Sequence, residues 1–417
     1  MNIIISGAQF NNKGAQAMLF TTMDQFRKHY GDVHFYYVPI DSYRKYDESV
    51  YKFEVVYGGT PAREYASDPS PLKKLLLLSK AAVRSAIKKD AAPPRDIRKL
   101  REVMSKADAL VDISGYNLSS KGKWTTNQRF LEMIELAIQH GLKTLLLPQS
   151  FGPFDYGAQQ KSMDQRIPRT LSKVDLLFAR ETDGKRMLEE QYGLTNVKLS
   201  PDLVLQSDKI DWRNITHEAP ELHFPKLTTT GNVGIIPNAQ TFRHGSTEQI
   251  LTIYERIIRN LLEKGRNVYI FCHSKDLEVC QLIYAKFAST PNVFLIEDEF
   301  ECWDYCEFIR QFDFLIASRY HSIVHAYREG IPALILGWAV KYKELAERFK
   351  QSDYIFDITV NCEMDALLSA LDQLNSSYER ESEQITETLN RLQGNRCFDA
   401  CWALLDGESG EGGARPI

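Results

Sequence analysis

The feature that most constrains this chain is a rhythm. Short apolar runs of strand length alternate with amphipathic stretches of helix length along nearly the whole sequence. In the first half the runs fall at 2–6, 34–40, 109–114, 143–148 and 176–179; in the second they fall at 232–236, 267–272, 292–296, 314–317 and 333–336. Helix-period segments such as 247–263 and 276–287 separate them. A helical crossover returns the chain to the same end of a sheet, so successive strands pair in parallel and the sheet is covered by helices. At 417 residues the chain is too long for one ordinary core. The expected fold class is therefore α/β, with two Rossmann-like doubly wound domains facing a central cleft.

The rhythm pauses once. Residues 207–230 are rich in polar residues, Pro and Thr and carry no sustained period, which reads as a linker between domains at 1–206 and 231–375. A strongly helical stretch at 376–405 is expected to pack back across the first domain, and 406–417 has the composition of a disordered end. Two facing domains of this kind bring the carboxyl ends of their strands, and the helix starts beside them, around one cleft.

Composition narrows the partners. Hydrophobic residues make up 43% and charged residues 25%, with a formal net charge of -4, so the chain reads as a globular protein with no whole-chain bias towards nucleic acid. No basic segment leads into a long apolar run and no stretch of membrane-spanning length occurs, so a cytoplasmic protein is expected. Seven cysteines, all in the second half, make an odd and scattered set that predicts reduced thiols. Cys302 with Cys306, and Cys397 with Cys401, each share a helical face; they read as small buried hydrophobes, and no metal site is expected.

The stretch 71–89 is unlike its surroundings. It carries Lys73, Lys74, Lys80, Arg84, Lys88 and Lys89 with no acid, while Leu72, Leu75, Leu76, Val83 and Ile87 share one helical face. Two readings stay open: peripheral contact with a membrane interface, at the inner face of the cell membrane, or a surface helix whose apolar stripe packs on its own domain.

Several chemistries lose weight because their motifs are absent. There is no GxxxxGK[ST] phosphate loop, no GxGxxG after a strand, no GxSxG elbow, no HExxH and no DxD. Polar, Gly-containing strand ends take their place. Asn12, Lys13 and Gly14 follow the first strand; Asp112, Ser114, Gly115 and Tyr116 end another; Gln149, Ser150 and Gly152 end a third. Together they suggest a sugar-binding mouth on the first domain, although Asn12 alone reads equally well as a helix cap. In the second domain a strand runs into Arg319, Tyr320 and His321 at a helix start, the favoured place for an anion. An Arg fork grips carboxylate or phosphate, and a His exchanges protons near neutral pH. Arg180 is either a further anion ligand or one half of an ion pair with Glu181 or Asp183, and His273 ends another strand of the second domain.

Taken in order, these segments resemble the polysaccharide pyruvyl transferase family over residues 1–350. The likeness rests on Asn12, Gly14 and Ala15, on Phe178-Ala-Arg-Glu181, on Ser200-Pro-Asp202, on His273 with Asp276, on Ser318-Arg-Tyr-His-Ser322 with Gly330-Ile-Pro332, and on Tyr342 with 345–349. The resemblance implies a glycosyltransferase-B-like fold and an enzyme that transfers a pyruvyl group from phosphoenolpyruvate, its co-substrate, to two hydroxyls of a sugar as a cyclic ketal. It implies no cofactor. The acceptor would be a sugar of a surface polysaccharide or of its lipid-linked precursor.

Carried over by position, Arg180, Arg319, Tyr320, His321 and His273 are the expected donor-binding residues, with His321 and Arg319 catalytic. Asn12, Lys13, Gly14, Asp112, Tyr116 and Gln149 form the expected acceptor side. Relatives place a further histidine in the first domain where this chain offers only Gln149 and Ser150. The rival reading is a nucleotide-sugar-dependent glycosyltransferase of the same fold.

Overall fold

Helices on both faces of a parallel sheet leave no solvent side to its central strands, so their runs are continuously apolar; Ile3, Ile4 and Ile5 of the first strand are fully buried. The computed structural model describes residues 1–10, 12–40, 49–88, 90–207, 209–337, 339–360, 362–394 and 396–407. Its first sheet holds β1 (Asn2–Ser6), β2 (His34–Val38), β3 (Glu54–Val55), β4 (Ala109–Asp112), β5 (Lys143–Gln149), β6 (Leu176–Ala179) and β7 (Val197–Leu199). The second holds β8 (Asn232–Ile236), β9 (Asn267–Phe271), β10 (Val293–Ile296), β11 (Phe314–Ala317), β12 (Ala333–Leu336) and β13 (Ile355–Phe356).

Every strand pairing is parallel, in the orders β3-β2-β1-β4-β5-β6-β7 and β10-β9-β8-β11-β12-β13. The winding direction therefore reverses between β1 and β4 in one sheet and between β8 and β11 in the other. Each reversal opens a crevice at the carboxyl end of the sheet. Edge strands β3, β7 and β13, two or three residues long, are too short to leave a periodic signal in the sequence.

The two halves are packed together by aromatic side chains. The helix Lys13–Tyr30 places Phe20 against Trp303 of the helix Cys302–Ile309, with ring centroids 6.3 Å apart, and Trp303 also meets Trp212 at 5.6 Å. Residue 212 lies in the stretch expected to link the domains. The first part of that stretch is fastened to the first domain: Asn214 Nδ2 donates to Asp24 at 2.8 Å, and Thr216 bridges to Tyr51. On the far rim, the Glu344 carboxylate accepts from the backbone N–H groups of Thr182 (2.6 Å) and Asp183 (3.1 Å), clasping the start of a first-domain helix from the second domain.

The expected carboxyl-terminal helix over 376–405 is two helices, Met364–Leu392 and Cys397–Leu405. Gly394 weakens the helix between them, and the Asp399 carboxylate starts the second by accepting from both the backbone N–H and the guanidinium of Arg396 at 3.0 Å. That second helix packs back on β5 and β6, with Trp402 against Phe26 at 4.8 Å. Of the tail expected to be disordered, 408–417 lies outside the described residues.

Candidate active-site cleft

A cleft of about 300 Å³ opens where the two crevices face each other. Gly7 and Asn12 reach it from beyond β1, and Ser114 to Asn117 from beyond β4. Across from them stand Asn238 after β8, His273 after β9, Arg319 to His321 after β11, and Lys341 after β12. The sheet topology alone brings these groups together.

Arg319 is held by a buried fork. Its Nε and Nη2 each donate to Asp276 at 2.6 Å, and Asp276 also accepts from the backbone N–H of Ala239 at 3.0 Å. The Arg319 side chain remains 27% exposed, and Nη1 has no partner among the described residues. The guanidinium is thus aimed by one carboxylate while an edge stays open to a ligand. Beside it the helix Tyr320–Arg328 starts without a side-chain cap, which adds the partial positive charge of a helix N-terminus.

His321 sits one residue into that helix, with Nε2 3.5 Å from Asp202 Oδ2 of the first domain. Burial pushes the imidazole below its ordinary pKa even though Asp202 pulls it up, so it is neutral near pH 7. Burial alone would raise the Asp202 carboxyl, but His321 and then Arg180 hold it well below the usual carboxylate range. His321 Nε2 makes no hydrogen bond among the described residues, but the Asp202 carboxylate stands close enough to stabilise the imidazolium when His321 takes a proton. Asp202 was visible in the sequence only as part of a Ser-Pro-Asp motif. Its role as partner to His321 follows from the meeting of the domains.

Arg180 is committed elsewhere. Its guanidinium donates to Glu181 (2.9 Å), Asp202 (2.8 Å) and Ser150 Oγ (2.6 Å), and it lies 4.3 Å from the Tyr320 ring centroid. Of the two ion pairs considered for Arg180, the Glu181 pair forms, whereas Asp183 pairs with Arg186. Arg180 borders the cleft, but every nitrogen already has an acceptor.

Lys341 escaped the sequence reading, because nothing local sets it apart from its neighbour Lys343. In the structure its Nζ lies 5.3 Å from the ring of Tyr320, 5.6 Å from Tyr342 and 5.7 Å from Tyr116, within cation–π range of all three. No carboxylate among the described residues forms a salt bridge with it. Burial first, then Arg180, pushes its ammonium down to about 8. An unpaired, desolvated cation of this kind is a receptor for an anion.

The remaining expectations divide. Asn12 both caps the first helix, accepting from Gly14 N–H at 3.0 Å, and lines the cleft, as do Tyr116 and His273. His273 is 2% exposed with Nε2 unpartnered, and burial followed by His325 drives it well below its ordinary pKa, so it is a neutral imidazole. Asp112 and Gln149 do not reach the cleft. Both are buried beneath it, with Gln149 Nε2 3.4 Å from Asp112, whose other oxygen accepts from Ser6 Oγ at 2.6 Å; Asp112 borders only a side recess of about 20 Å³. Strand alternation explains the miss, since residues at strand ends point inward as often as outward. Lys13 is not among the residues that line the cleft, and its carbonyl accepts from Cys302 at 3.7 Å.

His325 meets Cys306 at 3.5 Å, and with Cys302 these three buried groups place their ligand atoms within 4.8 Å of one another. Among the described residues this is the one cluster with metal-ligating spacing, and it supplies three donors where a closed structural site needs four.

Gly14 of the first domain packs directly against His321 of the second. A Cβ there would stand 2.2 Å from His321 Cγ and 2.3 Å from Nδ1. Gly14→Ala is expected to displace the imidazole, cutting activity at least tenfold and costing about 1–3 kcal/mol of stability. Activity and thermal midpoint equal to those of the parent would show that the contact is dispensable.

Comparison with known proteins agrees with this geometry. The family model "Polysaccharide pyruvyl transferase" matches residues 12–339. Among solved structures, a putative UDP-N-acetylglucosamine 2-epimerase from Listeria monocytogenes superposes with a TM-score of 0.56 at 12% identity, covering 100% of this chain and 99% of that one. A trehalose-6-phosphate protein from E. coli bound with UDP-2-fluoro glucose gives 0.52 at 10% identity, covering 96% and 98%. Such identities establish the two-domain glycosyltransferase-B-type fold and carry nothing about substrate. No curated protein matches the sequence.

Proposed function

The chain belongs to the polysaccharide pyruvyl transferase family, and we propose that it transfers the pyruvyl group of phosphoenolpyruvate to two hydroxyls of a sugar, in a surface polysaccharide or its lipid-linked precursor, closing a cyclic ketal. The observation that carries this reading is the convergence, in one cleft, of an unpaired Lys341, a half-free Arg319 fork and an uncapped helix start beside a neutral His321. Phosphoenolpyruvate bears one carboxylate and one phosphate, and these cationic groups match two anionic ends without calling on a divalent ion.

In this reading His321 takes the proton of the first sugar hydroxyl as its oxygen bonds to C2 of the donor. The same equivalent of protons goes to C3, which becomes the methyl group. The C2–O bond to phosphate then breaks, the second hydroxyl attacks C2, and its proton leaves through His321 with the departing phosphate. Asp202 stabilises each transient imidazolium. In this reading the acceptor hydroxyls are held from the cleft wall that Asn12 and Tyr116 line.

The direct test is incubation with phosphoenolpyruvate and a panel of simple and lipid-linked galactosides and mannosides. Mass spectrometry should show pyruvyl addition, with one phosphate released per ketal. Phosphoenolpyruvate at 100 times its Kd should also raise the unfolding free energy by about 2.7 kcal/mol. Protection by UDP or GDP instead would move the chain to nucleotide-sugar transfer. Because Lys341 titrates at about 8 in the free protein, its charge is present below that pH and lost above it. Donor affinity is therefore expected to fall as pH rises through 8. Lys341→Met should bind weakly at every pH and flatten the profile; an unaltered profile would remove Lys341 from the donor site.

A further inference from the structure

The helix Pro71–Ile87, in the crossover from β3 to β4, turns its larger apolar face to solvent. Leu72 is 77% exposed, Leu75 63%, Leu76 51%, Val83 60% and Ile87 75%, whereas Ala81 is the helix's one buried residue. The inward side, with Leu77, Leu78 and Ala81, is enough to seat the helix on Pro94–Met104 and Thr60–Ala66. Burial on its own domain therefore does not account for the outer stripe. Five large side chains kept in water along one face is a cost that a folded chain avoids unless the face has an occupant.

The charges indicate which. Lys73 pairs with Glu64 at 3.9 Å and Lys74 with Asp68, but Lys80, Arg84 and Lys88 have no acidic partner among the described residues. The helix itself carries no acid, so a second copy laid against this face would bring like charges together. No helix among the described residues is long and apolar enough to cross a membrane.

We propose that Pro71–Ile87 docks the protein on an anionic lipid surface, lying in the interface with Leu72, Leu75, Leu76, Val83 and Ile87 among the acyl chains and Lys80, Arg84 and Lys88 on the headgroups. Over about 25 Å of helix the apolar stripe and the cationic flank run side by side, which is the geometry of an interfacial helix. Docking of this kind holds the chain at the lipid surface. It does not depend on the transfer reaction, since it requires neither donor nor acceptor.

The test is co-sedimentation of the full chain with vesicles of phosphatidylcholine alone and of phosphatidylcholine with phosphatidylglycerol. The chain is expected in the pellet with the anionic vesicles, released by salt, and mostly in the supernatant with the neutral ones. Replacing Leu72, Leu75, Leu76, Val83 and Ile87 by Ser, or Lys80, Arg84 and Lys88 by Glu, should each weaken partition at least about tenfold. Thermal midpoints should hold, because the replaced groups are exposed. An unbound parent chain would overturn the proposal, as would undiminished binding by either variant. A concentration-dependent dimer abolished by the Ser variant would assign the face to a second copy and overturn it equally.

Discussion

His321→Ala is expected to abolish ketal formation, lowering kcat by about 10²–10⁴-fold, while phosphoenolpyruvate still protects the variant against thermal unfolding. The split follows from geometry. In the proposed reading the donor anions are held by Arg319, Lys341 and the helix start, and the imidazole contributes the proton path. His321→Ala leaves Asp202 paired with Arg180 at 2.8 Å, so no buried charge is orphaned and the fold should survive. Asp202→Asn should give an intermediate loss of kcat, because His321 keeps its position but its protonated form loses a counter-charge. Arg319→Ala should also remove activity, but by losing donor affinity. It carries a stability cost that the His variant does not, since Asp276 is buried and would lose its bidentate partner. A His321→Ala enzyme turning over near the parent rate would remove this residue from the chemistry and, with it, the proposed proton path.

Arg180→Ala is expected to act on the fold before it acts on the reaction. The side chain is 3% exposed and balances two buried carboxylates, Glu181 and Asp202. Removing the shared cation from such a cluster costs about 3–5 kcal/mol. For a chain of two domains that corresponds to a fall in thermal midpoint of roughly 10 °C. Asp202 would also lose one of the groups that hold it ionised, so the pH response of His321 should change with it. Lys341→Ala provides the contrast. It has no acidic partner to abandon, so the midpoint should stay within a few degrees while the KM for phosphoenolpyruvate rises at least tenfold. If instead Arg180→Ala keeps the parent midpoint and loses only donor binding, the guanidinium is a ligand and its ion pairs are incidental.

The contrast between these two cations also shows how far the sequence reads. Arg180 was conspicuous, because it ends a strand inside a recognisable segment, and all three of its guanidinium nitrogens donate to protein oxygens. Lys341 was inconspicuous, yet it lines the cleft with no acidic partner among the described residues. The same inversion holds on the acceptor side, where Asp112 and Gln149 fall below the floor while Asn238, unremarked in the sequence, lines the cleft.

What the sequence determined by itself was the architecture and the address of the site. Strand and helix periodicity are local properties, each decided within about a dozen residues, so the alternating runs were enough to specify two parallel sheets. The rule that ligands collect at strand ends and helix starts then pointed to Arg319 and His321. What only the tertiary structure decided was which charges are spent and which are free. A buried charge must find a partner or lose its ionisation, and the partners come from remote positions. Asp276 reaches Arg319 from 43 residues away, Asp202 reaches Arg180 from 22, and Glu344 reaches the Thr182 backbone from 162. The first two meetings are set by which strand ends lie close together within one domain, and the third by the packing of the two domains, relations that no local pattern in the chain encodes.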